Sequence, residues 1–269
     1  MTADISLLSE VPHIRHGSNI GQPLTRRDGE LKVTGRAKYT ADNHPAGMLY
    51  AVTAVASIAR GRVIGLNVEA AKAHPGVVEV MTPANRPPLA SDPDAKDNPF
   101  MFRMDLLQNE HVRYPNQPIA VVLAETLEVA TEGAALLVPS YEALPPRVGL
   151  DGNESFAPQT VGVGNPAQVS HGDVEAGLAA AARRIEATYE TPAQYHNAME
   201  PHCIVAAWDG DSLSIDMPTQ GLAMAQGRLA GLFGLPPQKI HIRSPFLGGG
   251  FGSKGFPIGP QVLAILRRS

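Results

Sequence analysis

The most constraining feature of this sequence is a glycine-rich stretch, GGGFGSKG, at residues 248–255. Glycines have no Cβ, so successive backbone N–H groups can converge on one anion. The alternating residues Lys239 to Arg243 (KIHIR) come shortly before it and predict a strand that leads into the loop. A strand followed by such a loop is typical of a site for a mononucleotide, a dinucleotide or another cofactor with phosphate or oxo groups.

Two nucleotide-binding patterns fit this loop poorly. A P-loop needs Gly, four residues, Gly-Lys and then Ser or Thr, but Lys254 is preceded by serine and followed by glycine. The dinucleotide fingerprint GxGxxG is present at residues 250–255, yet Pro257 and Pro260 interrupt the helix that should follow. A nicotinamide dinucleotide-binding module stays an alternative. So does an ordinary surface loop, although a surface loop has little need for Phe251 between glycines.

A second group of chemically capable residues occupies positions 196–203 (HNAMEPHC). Its types could ligate a metal, but Pro201 prevents the helical spacing of ligands that HExxH sites use. In a strand, Glu200 and His202 share one face, and a hydrogen-bonded structural or pocket-lining role is favoured. Cys203 begins an apolar strand and is interpreted as a small buried hydrophobe rather than a nucleophile. We assign no metal ligand among them.

Gln220 lies at the first turn of a predicted helix. Thr219 is a natural N-cap for this helix, and Gly234 is expected to end it. The apolar residues of the helix share one face: Leu222, Ala225, Leu229 and Leu232. A glutamine amide both donates and accepts hydrogen bonds, so Gln220 can hold a polar ligand if the helix start faces the glycine loop. Considered alone, it is an exposed residue at a helix start.

Composition excludes several classes of protein. The 269 residues include 22 basic and 26 acidic ones, and this balance is too even to predict binding to nucleic acid or an anionic membrane. No apolar run approaches the ~20 residues of a membrane helix, and the start of the chain lacks a secretory signal pattern. The single Cys203 cannot ligate an iron–sulfur cluster. We expect a cytoplasmic protein, or a periplasmic one if a partner carries an export signal.

The chain divides near residue 150, where a polar stretch containing Gly and Pro predicts a linker. Residues 1–20 are a predicted tail, and residues 82–99, rich in Pro, Asp and Asn, a predicted surface loop. Patterns before the linker predict strands at residues 49–56, 62–68, 77–81 and 119–124, a helical turn at 69–74 and a helix at 126–138. The first part is therefore predicted to be an α+β domain.

The second part is also expected to mix helices and strands. Patterns there predict a helix at residues 173–184, a strand at 185–191, a hairpin of 203–208 with 212–217 and a helix at 261–268. The last helix has barely begun when the sequence stops and is expected to have little to pack on. We therefore expect an incomplete second domain.

Taken together, these residues resemble the molybdenum hydroxylase family, the molybdopterin-binding subunits of xanthine dehydrogenase and aldehyde oxidoreductases. The arrangement is most similar to that of bacterial three-subunit aldehyde oxidoreductases. The matching stretches, in the family's order, are RDG at 27–29, KVTGRAKYTAD at 32–42, GMLYA at 47–51, PGV at 75–77, QPIAVV at 117–122, MEPH at 199–202, WDG at 208–210, TQ at 219–220 and GGGFGSKG.

The resemblance implies a fold and a set of cofactor contacts. Residues 21–148 correspond to an α/β hammerhead domain, and residues 149–269 to the beginning of a molybdenum cofactor-binding domain. The implied cofactor-binding residues are Gln220, Gly248, Gly249, Gly250, Phe251 and Gly252. The backbone N–H of Phe251 is expected to approach an oxygen ligand of the metal, and the amide of Gln220 its oxo group. Ser253 replaces a residue that is often glycine in the family.

The resemblance also implies a reaction and partners. Molybdenum-molybdopterin belongs to the complete subunit, and iron–sulfur clusters and FAD belong to separate iron–sulfur and FAD subunits. The reaction is oxidative hydroxylation of an aldehyde or an N-heterocycle, with water as the oxygen source. Because the family's glutamate base lies in later segments, we assign no catalytic residue here and expect the chain to be inactive without the remaining C-terminal part. The alternative is a non-catalytic truncated product or a subunit-contact module.

Overall fold

The computed structural model describes residues 23–91, 104–149, 157–161 and 165–266, so the predicted tail lies outside the described residues. The chain forms two compact units, residues 1–38 and 39–269. The first contains a short helix, α1 (Gly29–Val33). Asp28, just before α1, forms ion pairs with Arg26 at 2.5 Å and Lys32 at 2.7 Å. Hydrogen bonds from these two cations hold the pKa of Asp28 well below its usual value.

The second unit mixes helices and strands. Its elements are β1 (Tyr50–Val55), β2 (Gly61–Asn67), α2 (Glu69–Lys72), β3 (Val77–Met81), β4 (His111–Val112), β5 (Pro118–Ala124), α3 (Leu127–Ala135), β6 (Val138–Ala143), β7 (Thr160–Val161), β8 (Asn165–Pro166), α4 (Val174–Ala180), β9 (Val205–Asp209), β10 (Ser212–Asp216), α5 (Leu222–Phe233), β11 (Ile240–Arg243) and α6 (Gly259–Ile265). None of the helices in the described part of the chain has the length and apolar character needed to cross a bilayer.

The first sheet is antiparallel, in the order β1-β5-β3. All seven residues of β5 are buried, because both faces of this central strand are covered. Val121 and Leu123 pack into one apolar cluster, whereas Ala120 and Val122 pack into another with Ala71 of α2. This alternation is the period of two that an extended strand imposes on its side chains. The predicted strand at residues 119–124 is therefore confirmed.

The second sheet, β4-β2-β6, is also antiparallel, and its strands approach closely at the first residue of β2. Gly61 of β2 pairs with Val112 of β4 on one side and Ala143 of β6 on the other. Its φ of +147° is one that residues with side chains rarely adopt, and an added Cβ would lie 2.1 Å from the carbonyl oxygen of Glu142. Only glycine fits at this point in the sheet.

The third sheet, β11-β10-β9, leads to the glycine loop. β9 and β10 form the predicted antiparallel hairpin, with Gly210 in its turn at a φ of +58°. β11 then pairs parallel to β10, and α5 makes the connection between them. Ala225, Leu229 and Leu232 of α5 are buried, as their spacing predicts, but Leu222, predicted on the same face, is exposed. Gly234 ends the helix in the left-handed conformation.

The largest buried cluster contains residues from both sides of the predicted boundary near residue 148. Met81 and Leu106 precede that boundary, whereas Leu213, Leu229 and Leu263 follow it. The last of these lies on α6, where Val262 and Ile265 are also buried. The expectation that the final helix has little to pack on is therefore wrong. The boundary between residues 148 and 149 stays a prediction.

Two predictions for residues 173–191 differ from the structure. The helix ends at Ala180 rather than at residue 184, and residues 181–204 contain no helix or strand. Ile185 and Tyr189 are 93% and 89% exposed. An alternating apolar pattern becomes a strand only where a neighbouring strand accepts its hydrogen bonds, and no described residue pairs with this segment. In the predicted surface loop, residues 82–91 are irregular, and residues 92–99 lie outside the described residues.

Candidate functional site

The glycine loop is fixed at its beginning by Glu200. The backbone N–H of Gly248 donates to Glu200 Oε2 at 2.8 Å, and the backbone N–H of Glu200 donates to the carbonyl oxygen of Gly248 at 3.0 Å. An added Cβ at Gly248 would lie 2.5 Å from the Cβ of Glu200. The two backbones therefore approach closely, and glycine makes this approach feasible.

The end of the loop is fixed by the same residue. The ammonium group of Lys254 donates to Glu200 O at 2.7 Å and to Glu200 Oε2 at 3.0 Å. The side chain of Lys254 is 0% exposed and that of Glu200 only 6%. A buried charge is tolerated only when it is paired and hydrogen-bonded. Here the Lys254 ammonium and the Glu200 carboxylate form that pair.

A third anchor comes from the residues before α5. Gln220 Oε1 accepts from the backbone N–H of Gly252 at 3.0 Å and from that of Lys254 at 3.3 Å. The carbonyl oxygen of Lys254 in turn accepts from the backbone N–H of Gln220 at 2.8 Å and from Thr219 Oγ1 at 3.2 Å. Gln220 therefore does contact the glycine loop. The prediction that Thr219 is the N-cap is wrong, because α5 begins at Leu222 and its N-cap is Gly221. The Thr219 hydroxyl donates to the glycine loop instead.

Between these anchors, three consecutive residues leave their backbone N–H groups unused. The N–H groups of Gly249, Gly250 and Phe251 have no hydrogen-bond partner among the residues that the structure describes. Gly249, Phe251 and Gly252 have φ values of +90°, +52° and +102°. Successive N–H groups in a turn with left-handed residues form a concave anion-binding surface. We call residues 249–251 the crest of the loop.

Two further side chains shape the loop. Ser253 Oγ donates to the carbonyl oxygen of Gly250 at 2.8 Å, so serine at this position adds a bond within the loop. His202 Nε2 lies 3.1 Å from the carbonyl oxygen of Ser253 and donates to it, which places a proton on Nε2. Phe251, which is 72% exposed, lines an open cleft of about 380 Å³ with Gln194, Tyr195 and His196.

Two residues of the predicted second group, Glu200 and His202, contact the glycine loop. Among the described residues, no group of three or more His, Cys, Asp or Glu side chains is placed to hold a metal ion. Glu200 and His202 hydrogen-bond to the glycine loop, as a structural role requires. Cys203 is half-buried, and burial, with the nearby Glu200 carboxylate, raises the pKa of its thiol.

Alkylation of Cys203 should therefore be slow at neutral pH. Because its pKa lies above the ordinary value of 9.0, iodoacetamide should react at a rate that still rises above pH 9.0. The thiolate forms more readily in the unfolded chain, so the contribution of Cys203 to the free energy of unfolding should be constant below pH 9.0 and fall above it. Mass spectrometry of the alkylated chain measures the rate. A rate that reaches its plateau at neutral pH would contradict this prediction.

The dinucleotide alternative lacks its helix at the required place. In that arrangement the glycine loop opens directly into a helix whose N-terminus meets the pyrophosphate. Here α6 begins at Gly259, four residues after Gly255, and is only seven residues long. The fingerprint at residues 250–255 is thus followed by irregular backbone that includes Pro257, as expected, whereas Pro260 lies in the first turn of α6 and does not interrupt it.

Comparison with known protein families identifies the class. Residues 34–145 match the aldehyde oxidase and xanthine dehydrogenase a/b hammerhead domain, and residues 157–267 match the molybdopterin cofactor-binding domain. The two matches together cover most of the chain and follow each other in the order that the resemblance implied. The chain therefore belongs to the molybdenum hydroxylase family, with a hammerhead domain and part of a molybdenum cofactor-binding domain.

Individual relatives agree with this class. The chain is 34% identical to the aldehyde oxidoreductase molybdenum-binding subunit PaoC of Escherichia coli (strain K12). The alignment of 253 residues covers 92% of this chain and 33% of the relative. The chain is 32% identical to the xanthine dehydrogenase molybdenum-binding subunit of Escherichia coli O157:H7, covering 85% and 32%. Quinoline 2-oxidoreductase of Pseudomonas putida 86 has a similar structure, with a TM-score of 0.71, 26% identity and coverage of 89% and 32%. The chain thus spans about a third of the length of these relatives.

One residue of the site, Lys254, was not predicted from the sequence. The sequence offered it only as the lysine of a failed P-loop match, whereas the structure buries it beneath the loop against Glu200. The two residues are 54 positions apart, and no local pattern indicates their contact.

Proposed function

We propose that this chain supplies the hammerhead domain and the first part of the cofactor-binding domain of a molybdenum-dependent oxidoreductase subunit. The observation that carries the proposal is the crest, where three successive N–H groups have no acceptor among the described residues. Family membership and the names of the relatives support molybdenum-molybdopterin as the ligand. The residues present fit an oxygen-rich cofactor, because the crest offers neutral donors at close approach and, within the described part of the chain, no metal-ligating group.

The roles of individual residues follow from their free donors. Gln220 Oε1 is occupied by the loop, whereas Gln220 Nε2 has no partner among the described residues and can donate to a cofactor oxygen. The N–H of Phe251 is a second donor of this kind, and Gly249 and Gly250 complete the set. Gly248 and Gly252 serve as anchors rather than donors, since their N–H groups are already bonded to Glu200 and Gln220. Neutral donors stabilise oxo groups without competing as ligands.

The proposed reaction is oxidative hydroxylation of an aldehyde or an N-heterocycle. The molybdenum cofactor supplies a two-electron oxidation in which water provides the oxygen atom. This chain binds and orients the cofactor, and we assign no general base to its residues. In this proposal iron–sulfur and FAD subunits act as electron acceptors, and the rest of the reaction machinery belongs to the remaining part of the molybdenum subunit. The relatives, which are about three times longer than this chain, support the second point.

The metal content of the natural gene product tests this proposal. The protein is purified with its co-purifying partners, molybdenum is measured by inductively coupled plasma mass spectrometry, and pterin is measured after oxidation to a fluorescent derivative. We expect molybdenum and pterin in roughly equal amounts, together with oxidation of aldehydes or N-heterocycles by a dye acceptor. A folded complex without molybdenum contradicts the proposal. Tight binding of NAD(P)H would then favour the dinucleotide-binding module. A complex that binds neither the molybdenum cofactor nor NAD(P)H would favour a subunit-contact module.

A further inference from the structure

We propose that Glu200 and Lys254 are positioning residues that hold the crest in its cofactor-receiving conformation, and that Lys254 does not itself touch the cofactor. This inference rests on the proposed function. It concerns a buried ion pair beneath the loop, formed by two residues 54 positions apart. The pair determines where the loop begins and ends, and therefore how the N–H groups of residues 249–251 are presented.

Lys254 is oriented away from any ligand at the crest. Its side chain is 0% exposed, and its ammonium group donates to two oxygens of Glu200. The lysine of a P-loop, by contrast, reaches the phosphates that the loop cradles. A cofactor bound at the crest therefore meets backbone amides and the amide of Gln220, whereas the positive charge stays beneath the loop.

Glu200 holds both ends of the loop through one side chain and its own backbone. Its Oε2 accepts from the N–H of Gly248 and from Lys254 Nζ, and its carbonyl oxygen accepts a second bond from Lys254 Nζ. Fixing both ends removes the conformational freedom of the residues between them. Those residues include Phe251, whose φ of +52° is sparsely populated for a residue with a side chain. Such a conformation persists only where its surroundings enforce it.

Stability alone gives no reason for an ion pair at this position. Burying two charges costs solvation that their attraction recovers only partly, and apolar residues of similar volume are often as stable. Glu200 Oε1 is also buried without a hydrogen-bond partner among the described residues, which adds to the cost. What the pair provides, and an apolar pair cannot, is directional bonding to Gly248 and to the Glu200 carbonyl. The pair therefore serves to fix the backbone positions at the two ends of the glycine loop.

Three variants of the natural gene product, purified with its partners, separate geometry from stability. Lys254→Met and Glu200→Gln each leave one buried group without its partner. The double variant E200Q/K254M leaves no unpaired buried charge but lacks the ammonium that fixes the end of the loop. Lys239→Met is the matched control, because Lys239 pairs with Asp211 at 3.0 Å on the surface. For each protein we measure molybdenum per subunit, the thermal midpoint and amide hydrogen exchange at residues 248–255.

The single variants should lower both the thermal midpoint and the molybdenum content. The double variant should regain a thermal midpoint near that of the wild type, while its molybdenum content stays lower by about tenfold or more, as for residues that orient a metal site. Lys239→Met should match the wild type in both. If molybdenum in the double variant recovers together with the thermal midpoint, the pair is merely structural and the inference is wrong.

Hydrogen exchange keeps the inference separate from the proposed function. The bonded amides of Gly248, Gly252 and Lys254 should exchange faster in the double variant, while those of α5 stay protected. This readout needs no cofactor. A wild-type protein without molybdenum therefore contradicts the proposed function alone, and unchanged exchange at these three amides contradicts the positioning role alone.

Discussion

Replacing Gly250 with alanine is expected to lower the molybdenum content of the purified protein by about tenfold or more. An added Cβ at this position would lie 2.5 Å from Gln220 Oε1 and 2.6 Å from Gln220 Cδ, so the glutamine amide must move away. That movement removes the acceptor of the Gly252 and Lys254 N–H groups and displaces the donor at Gln220 Nε2. The free energy of unfolding should fall by only about 1–2 kcal/mol, the value of two hydrogen bonds.

Two further variants test whether the effect of Gly250→Ala comes from its clash with Gln220. Gly231→Ala is the matched control, because nothing lies within 4 Å of an added Cβ at this helical position. It should raise the free energy of unfolding by roughly 0.5–1 kcal/mol and leave molybdenum unchanged. Gln220→Ala removes the obstructing side chain, so adding Gly250→Ala to it should cost little more. Additive losses of molybdenum in this double-mutant cycle would show that the two residues act independently, which a clash between them does not allow.

Gly61→Ala is expected to reduce the free energy of unfolding by roughly 3–5 kcal/mol. Its Cβ would lie 2.1 Å from Glu142 O and 3.1 Å from Ala143 Cα, both atoms of the neighbouring strand β6. Backbone atoms within a sheet cannot move without separating the strands, so the clash cannot be relieved locally. The φ of +147° adds strain for any residue with a side chain. Urea denaturation followed by circular dichroism measures the loss.

Gly65→Ala in the same strand is the control for this prediction. Its Cβ would meet only Ser140 Cβ, at 3.8 Å, and Ser140 Oγ, at 4.0 Å, both ordinary van der Waals distances. We expect a change of less than about 1 kcal/mol, because the substitution mainly reduces the entropy of the unfolded chain. Equal losses for Gly61→Ala and Gly65→Ala would mean that the tight packing of β2 against β6 is not what limits substitution.

Local patterns predicted most strands and helices of this protein. The alternating and apolar runs at β1, β2, β3 and β5 are strands, and the Asp-Gly turn at Gly210 joins a hairpin. These elements were predictable because hydrophobic period and turn chemistry act over a few residues. The strand expected at residues 185–191 was not found, because a strand depends on a neighbour that the local pattern does not reveal.

Within the candidate site, the sequence indicated the loop but not how it is held. The glycines, Phe251 and Gln220 were named from motif and resemblance, and the structure does bring them together. Cofactor contact by these residues stays a prediction. Thr219 was given the wrong role because a hydroxyl before a helix satisfies an N-cap pattern and a loop contact equally well. Its hydroxyl accepts from the nearby N–H of Gly221 and donates to Lys254 O, which is 35 residues away.

The sequence by itself determined the family, the apolar character of β5, the apolar face of α5 and the position of the glycine loop, since each depends on the order and type of nearby residues. Only the tertiary structure decided that Glu200 meets Lys254, that Gln220 holds the loop and that α6 enters the main core. These contacts join residues distant in the chain. They form because burial of apolar surface brings the elements together, and each buried polar group must then find its partner among the groups placed nearby.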